Sequence, residues 1–291
     1  MAVDSLIQIL VTVTVIELML SIGLSATFAE LAAVIGQRRL IIQAVIANYL
    51  CVPAVAVVLL LLFQAQPMVA AGFLIAAVCP GAPYGPPFTA LAKGNVPVAV
   101  GLMIMLTASS AILAPLLLRS LLPLVATGSE ALDIDAGTMI RVLLVVQLLP
   151  LVAGLMFRHW CPKAAIRVLR PVNLVSMVLN VAMIGLIITV QFRTLANIPL
   201  RGFLGMAALV AAALAIGWLL GNHDGGNRRT MAFTTAVRNV GVALAIATSS
   251  FAGTPAITTT LTFALFQTII VALVAVAWGR LTPGPQRLAA G

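Results

Sequence analysis

Two short stretches hold the residues best suited to chemistry. Residues 234–241 read Thr234-Thr235-Ala236-Val237-Arg238-Asn239-Val240-Gly241, so two hydroxyls, an amide and one full positive charge interrupt an apolar run. A guanidinium flanked by amide and hydroxyl groups is well suited to gripping a carboxylate or sulfonate. Residues 79–87 read Cys79-Pro80-Gly81-Ala82-Pro83-Tyr84-Gly85-Pro86-Pro87, and four prolines so close together cannot sit inside an α-helix. The chain must unwind there, which frees backbone amides at Tyr84 and Gly85. Asn48 and the carboxylate of Glu17 are further polar groups in apolar runs. The expected substrate-binding set is therefore Arg238, Asn239, Thr234, Thr235, Asn48, Tyr84 and Gly85, with Glu17 as the ion-coupling candidate.

Catalysis is not expected from these residues. Hydrolysis needs a nucleophile with a base, or paired acids. The apolar runs hold only His159, at an edge, and the single acid Glu17. Cys51, Cys79 and Cys161 have neither CxxC nor framework spacing, so no zinc site, disulfide scaffold or cofactor is implied.

These groups sit in a chain of 291 residues that is 62% hydrophobic and 8% charged, with a mean hydropathy of +1.18. Ordinary soluble domains are about 25% charged, so the composition points to a bilayer. Long unalternating apolar runs exclude a barrel and leave an all-α polytopic membrane protein. Spans of about 20 residues divide the chain into nine. They fall near 4–26, 40–63, 67–93, 96–122, 137–158, 171–192, 200–220, 228–252 and 255–278. The net charge of +9 would suit nucleic acid in a soluble protein, but here the basic residues lie between apolar runs and report topology. An N-out start places Arg38, Arg39, Lys93, Arg158, Lys163, Arg167, Arg170, Arg228, Arg229, Arg280 and Arg287 inside; Arg119, Arg141, Arg193 and Arg201 stay outside with Glu130, Asp133 and Asp135. The C-terminus is then cytoplasmic, and a bacterial inner membrane is the expected location.

The third and eighth spans carry the two polar stretches, and they occupy matching places. Gly23-Leu24 precedes Cys79 by 56 residues, and Gly185-Leu186 precedes Arg238 by 53. Spans one to four (4–122) thus pair with six to nine (171–278) around a linking helix at 137–158, and the odd offset of five spans inverts one half. Paired interrupted helices, here 67–93 and 228–252, in an inverted repeat are the sequence signature of a secondary transporter. Gln147, Asn180 and Gln267 are read as interhelical hydrogen bonds. Thr107, Ser109, Ser110, Thr258 to Thr260 and the stretch Met206 to Gly217 are read as close packing. His159 and His223 are assigned to loops.

Cys79-Pro80-Gly81-Ala82, Leu91-Ala92-Lys93-Gly94-Asn95, Tyr49-Leu50-Cys51-Val52-Pro53 and Val237-Arg238-Asn239-Val240-Gly241 together resemble the bile acid:sodium symporter family. The resemblance covers nearly the whole chain. It implies a core and a panel, with the interrupted helices crossing in the core, and transport by alternating access. Sodium-using members carry a Ser-Asn pair after the first break, where this chain has Gly85-Pro86. Their next-helix hydroxyls fall at Ala99 and Met103, a glutamate of the second break at Thr234, a following glutamine at Arg238, and a second-helix glutamine at Asn48.

Sodium needs several oxygen ligands, and most of those the resemblance implies are gone. The expectation is a carrier of a small organic anion in which Arg238 replaces the coupling cation. Three alternatives stand beside it: an arsenite-type efflux permease using Cys79, a sodium-coupled symporter of the same fold, and a structural Arg238 paired with Glu17. If Glu17 titrates, protons would couple to transport.

Overall fold

The structure is a computed structural model that describes residues 2–125, 134–196, 199–221 and 224–282. Every regular element among them is helical. Helix α1 (Ala2–Ser25) is followed by α2 (Phe28–Ile35), a short helix that the span pattern did not call for. Its start is written locally: Thr27 Oγ1 accepts from the amide of Glu30, and the Glu30 carboxylate accepts from the amide of Thr27, a capping box.

The second span comprises α3 (Arg38–Ile46), a π-helical turn at Ala47–Cys51 and α4 (Val52–Leu62). The fifth repeats this build with α8 (Ala136–Leu143), a π turn at Leu144–Leu148 and α9 (Leu149–Trp160). Pro53 and Pro150 stand just beyond the two π turns. A proline lacks the amide that would bond four residues back, and the wider turn absorbs the mismatch. Each π turn holds one buried amide side chain, Asn48 in the first and Gln147 in the second.

The third span is broken into α5 (Pro67–Val78) and α6 (Gly85–Leu91), with Pro86 and Pro87 in the first turn of the second half, where proline is tolerated. Then come α7 (Val96–Val125), α10 (Pro162–Ala196) and α11 (Leu200–Leu220). The eighth span is likewise broken, into α12 (Gly225–Ala236) and α13 (Val240–Ser250), and α14 (Pro255–Leu281) closes the bundle. Among the described residues eight helices are long and apolar enough to cross a membrane. The halves α5 and α6 are individually too short, so the ninth crossing stays an expectation. The sixth span also starts earlier than expected. Its helix begins at Pro162 and passes through Pro171, so Lys163, Arg167 and Arg170 lie on a helix instead of in a loop.

Burial separates the helices. An 18-residue stretch of the broken span Gly225–Ser250 is 89% buried, and that span is the least apolar of the eight, whereas the corresponding stretch of Pro162–Val190 is 11% buried. One is the centre of the molecule; the other faces outward. Helices α1 and α9 meet at Gly23 and Gly154, where an added Cβ would lie 2.2 Å from Leu151 O and 2.5 Å from Leu20 O respectively. Backbone packing this close excludes any side chain. Gly154→Leu is expected to prevent folding and Gly154→Ala to lower the melting temperature of detergent-solubilised protein markedly, measured beside an alanine at Gly185, which has open space around it. The small residues read as packing elements behave accordingly: Thr260 Oγ1 donates to Gly72 O at 3.1 Å, and Gly217 lies against the backbone of Met231.

Polar residues from several loop segments gather at one end of the bundle. Lys93 Nζ donates to Thr282 O at 2.5 Å, Arg229 to Lys93 O at 3.0 Å, and Asn227 Nδ2 to Gln37 Oε1 at 3.3 Å. Asp135, which caps α8, holds its carboxyl below the usual range by accepting from the Thr138 side chain and amide. Glu130, Asp133, His223 and Arg287 lie outside the described residues.

Candidate functional site

The two breaks cross. The backbone amide of Asn239 donates to Cys79 O at 2.7 Å, and its side-chain Nδ2 donates to Gly81 O at 3.1 Å. Asn239 Oδ1 meanwhile accepts from Val242 N at 3.2 Å, so the same side chain caps α13. Gly81 has φ of 84°, a conformation open mainly to glycine, and its carbonyl takes a second donor, Thr107 Oγ1 at 2.6 Å. An added Cβ there would lie 2.4 Å from Thr107. Cys79, Asn239 and Thr107 are each fully buried.

Arg238 occupies the crossing. It is 1% exposed, and its guanidinium donates to Ala77 O at 3.2 Å and to Thr235 O. Ala77 lies in the last turn of α5 and Thr235 in the last turn of α12. The last carbonyls of a helix lack partners within it and carry the negative end of its dipole. One guanidinium therefore satisfies the C-terminal ends of both broken helices. Gln267 of α14 brackets the same residue, its Oε1 accepting from Arg238 N and its Nε2 donating to Arg238 O, both at 3.1 Å. Among the described residues no carboxylate lies within ion-pair distance of Arg238. The proposed partner Glu17 instead accepts from Ser176.

The other expected site residues divide. Asn48 and Thr235 join the buried cluster through a 3.5 Å contact from Asn48 Nδ2 to Thr235 Oγ1, and Asn48 also donates to Ala44 O at 2.9 Å. Thr234 is turned to its own helix, donating to Thr230 O at 2.8 Å. The Gly85 amide is not free: it donates to Ala82 O at 3.1 Å, because the turn at Pro83-Tyr84 closes before α6 begins. Tyr84, 41% exposed, opens instead onto a cavity of about 640 Å³. Its walls are Leu18, Ser21 and Ser25 of α1, the Pro83–Pro87 turn, Val100 and Met103 of α7, and Asn173, Ser176 and Asn180 of α10. Arg238, Asn239, Thr234, Thr235 and Asn48 do not line it.

Gln147 does bond across helices, to Thr107 O and to Ser110 Oγ at 2.9 Å. Asn180 does not; it donates to Ser176 O in its own helix and faces the cavity. His159 closes α9, with its ring edge-on to Phe28. Sequence reasoning missed Gln267's hold on Arg238 and the polar seam of Ser21, Asn173 and Ser176. The signal for the seam was present as small polar residues one turn apart in spans one and six.

A polytopic helical bundle with two interrupted helices crossed at a buried charge, beside a cavity, defines a secondary transporter, an integral membrane protein. The chain belongs to the Sodium Bile acid symporter family, whose sequence profile matches residues 12–198. It is similar to the uncharacterized sodium-dependent transporter YocS of Bacillus subtilis (strain 168), 25% identical over 270 residues, which are 90% of this chain and 81% of that one. It is also similar to the probable sodium/metabolite cotransporter BASS2, chloroplastic, of Oryza sativa subsp. japonica, at 24% identity over 70% of this chain and 47% of that one. A third relative is the probable sodium/metabolite cotransporter BASS1, chloroplastic, of Arabidopsis thaliana, at 27% identity over 50% of this chain and 35% of that one. The profile ends before the second break, so Arg238 lies outside the matched stretch.

Proposed function

We propose that this chain is a sodium-independent carrier of a small organic anion, in which Arg238 stands permanently in place of the coupling cation. The observation that supports this is the pair of bonds from its guanidinium to Ala77 O and Thr235 O, the carbonyl ends of both broken helices. Carbonyl oxygens of unwound membrane helices are the groups that coordinate sodium in broken-helix transporters. Here a tethered charge has taken them, and an arginine cannot leave. The inverted halves 4–122 and 171–278, moving about the linking helix 137–158, would open the cavity to each side in turn, with the amino terminus outside and the carboxyl terminus in the cytoplasm of a bacterium.

The anion would lie in the cavity against Tyr84 and the α1/α10 seam. Arg238, Asn239, Thr235 and Asn48 form the fixed floor behind it, and Thr234 holds the adjoining helix. An arsenite-type mechanism through Cys79 finds no support, since that thiol is fully buried and does not line the cavity. The test is uptake of labelled organic anions into proteoliposomes buffered in sodium, potassium or choline. The expected result is equal initial rates in all three, and strict dependence on sodium overturns the proposal.

A further inference from the structure

Apart from Tyr84, every polar side chain lining the cavity comes from the seam between α1 and α10. Ser21 Oγ donates to Asn173 Oδ1 at 2.7 Å. One turn along, Ser176 Oγ donates to Glu17 Oε2, and Asn180 Nδ2 donates to Ser176 O at 2.8 Å. The second carboxylate oxygen, Glu17 Oε1, is buried and has no hydrogen-bond partner. Among the described residues it is the one carboxylate well inside a span, and Ser176, which holds it, lines the cavity.

Among the described residues no cation lies within ion-pair distance of it. Besides α10, helix α1 packs against α9, α13 and the π turn at Leu144–Leu148. The last two elements carry no titratable group. On α9 the only ones are Arg158 and His159 at its far end, where His159 meets Phe28. On α10, Lys163, Arg167 and Arg170 precede Asn173 towards that same end, and Arg193 stands near the opposite one. The carboxylate thus has Ser176 on one oxygen and no hydrogen-bond partner on the other.

We infer that Glu17 is the proton-binding site of this carrier, taking up one proton on its carboxylate for each anion that enters the cavity. The inference rests on the anion reading of the cavity. An ionised Glu17 repels an anion held across Ser176 with little water between them, whereas the neutral acid does not. Binding of anion and proton therefore assist each other, and by linkage each raises the affinity for the other equally. The proton comes from water on one side of the membrane and returns to water on the other. No other bond changes, and the cycle with a monovalent anion moves no net charge.

The test uses purified full-length protein in proteoliposomes with pyruvate, methanesulfonate and taurocholate as probes. All are anions of acids stronger than a simple carboxylic acid, so leakage as the neutral acid is small. With the membrane potential collapsed, an inward proton gradient is expected to accumulate a transported probe about tenfold per pH unit. Glu17→Gln is expected to keep exchange of that probe and to lose accumulation. Transport indifferent to the proton gradient, or accumulation by Glu17→Gln equal to wild type, overturns the proton site and leaves the anion reading standing. If none of the probes moves, the anion reading falls. Infrared titration of the substrate-free protein then decides the proton site by itself. A carboxylic-acid band absent from Glu17→Gln and shifted by Ser176→Ala supports it. A spectrum lacking such a band overturns it, and Ser176→Ala alone serves if Glu17→Gln does not fold.

Discussion

Asn239→Ala is expected to abolish transport and to lower the stability of the folded protein by about 1.5–2.5 kcal/mol, read from thermal unfolding in detergent. The side chain does two jobs at one buried point. As the cap of α13 it is worth about 1 kcal/mol. As a donor to Gly81 O it closes the crossing of the two breaks, and one hydrogen bond to a carbonyl that keeps another donor is worth about 0.5–1.5 kcal/mol. The second figure depends on Thr107, whose hydroxyl also donates to Gly81 O. In Asn239→Ala alone the carbonyl keeps Thr107, and in Thr107→Val alone it keeps Asn239. With both removed it has no donor left among the described residues. The double variant is therefore expected to lose more than the sum of the singles, by about 0.5–3 kcal/mol. Simple additivity would mean that the two donors do not share the load.

Much of this crossing was legible in the sequence, because breaks in membrane helices are written in unusual residues. Four prolines between Pro80 and Pro87 forbid a helix, and Arg238 in an apolar run demands a special environment. The structure breaks both spans where those residues stand. What Arg238 would bond was not legible. Its partners are carbonyl oxygens, which every residue owns, so no side-chain pattern announces them. The apparent choice between a substrate and Glu17 arose because only side chains were weighed as partners.

Local signals explain other differences. The start of α2 was spelled out by Thr27 and Glu30 as a capping box, but an apolar-span reading passes over an eight-residue helix. The early start of α10 was hidden by Pro171, which reads as a first-turn proline and in fact sits inside the helix. The amide of Gly85 was expected to be free because prolines surround it, yet prolines also favour tight turns, and such a turn closes on Ala82 O. Nor could the cavity be read beforehand. Its walls come from four separate segments whose apolar members look like any lipid-facing residue.

Returning the sodium-type residues to the crossing is expected to return sodium sensitivity. In the wild-type protein, sodium should leave the melting temperature unchanged relative to potassium, because the guanidinium already fills the space between Ala77 O and Thr235 O. Arg238→Ala removes two charge-assisted hydrogen bonds worth about 1.5–3 kcal/mol each and leaves the C-terminal carbonyls of α5 and α12 facing one another. That loss approaches the lower end of a typical domain's stability, about 5–15 kcal/mol, so the variant is expected to be strongly destabilised. Arg238→Lys keeps the charge but lacks the planar fork that reaches two acceptors, and its stability should fall between. Arg238→Gln with Thr234→Glu supplies a carboxylate and an amide oxygen next to the two freed carbonyls, an all-oxygen set for a hard cation. A cation that binds only the folded form stabilises it by about 2.7 kcal/mol at a hundredfold excess over its Kd. The double variant should thus be weaker than wild type in potassium and recover in sodium. Equal melting in the two salts would mean that the arginine is a structural clip with no cation site beneath it.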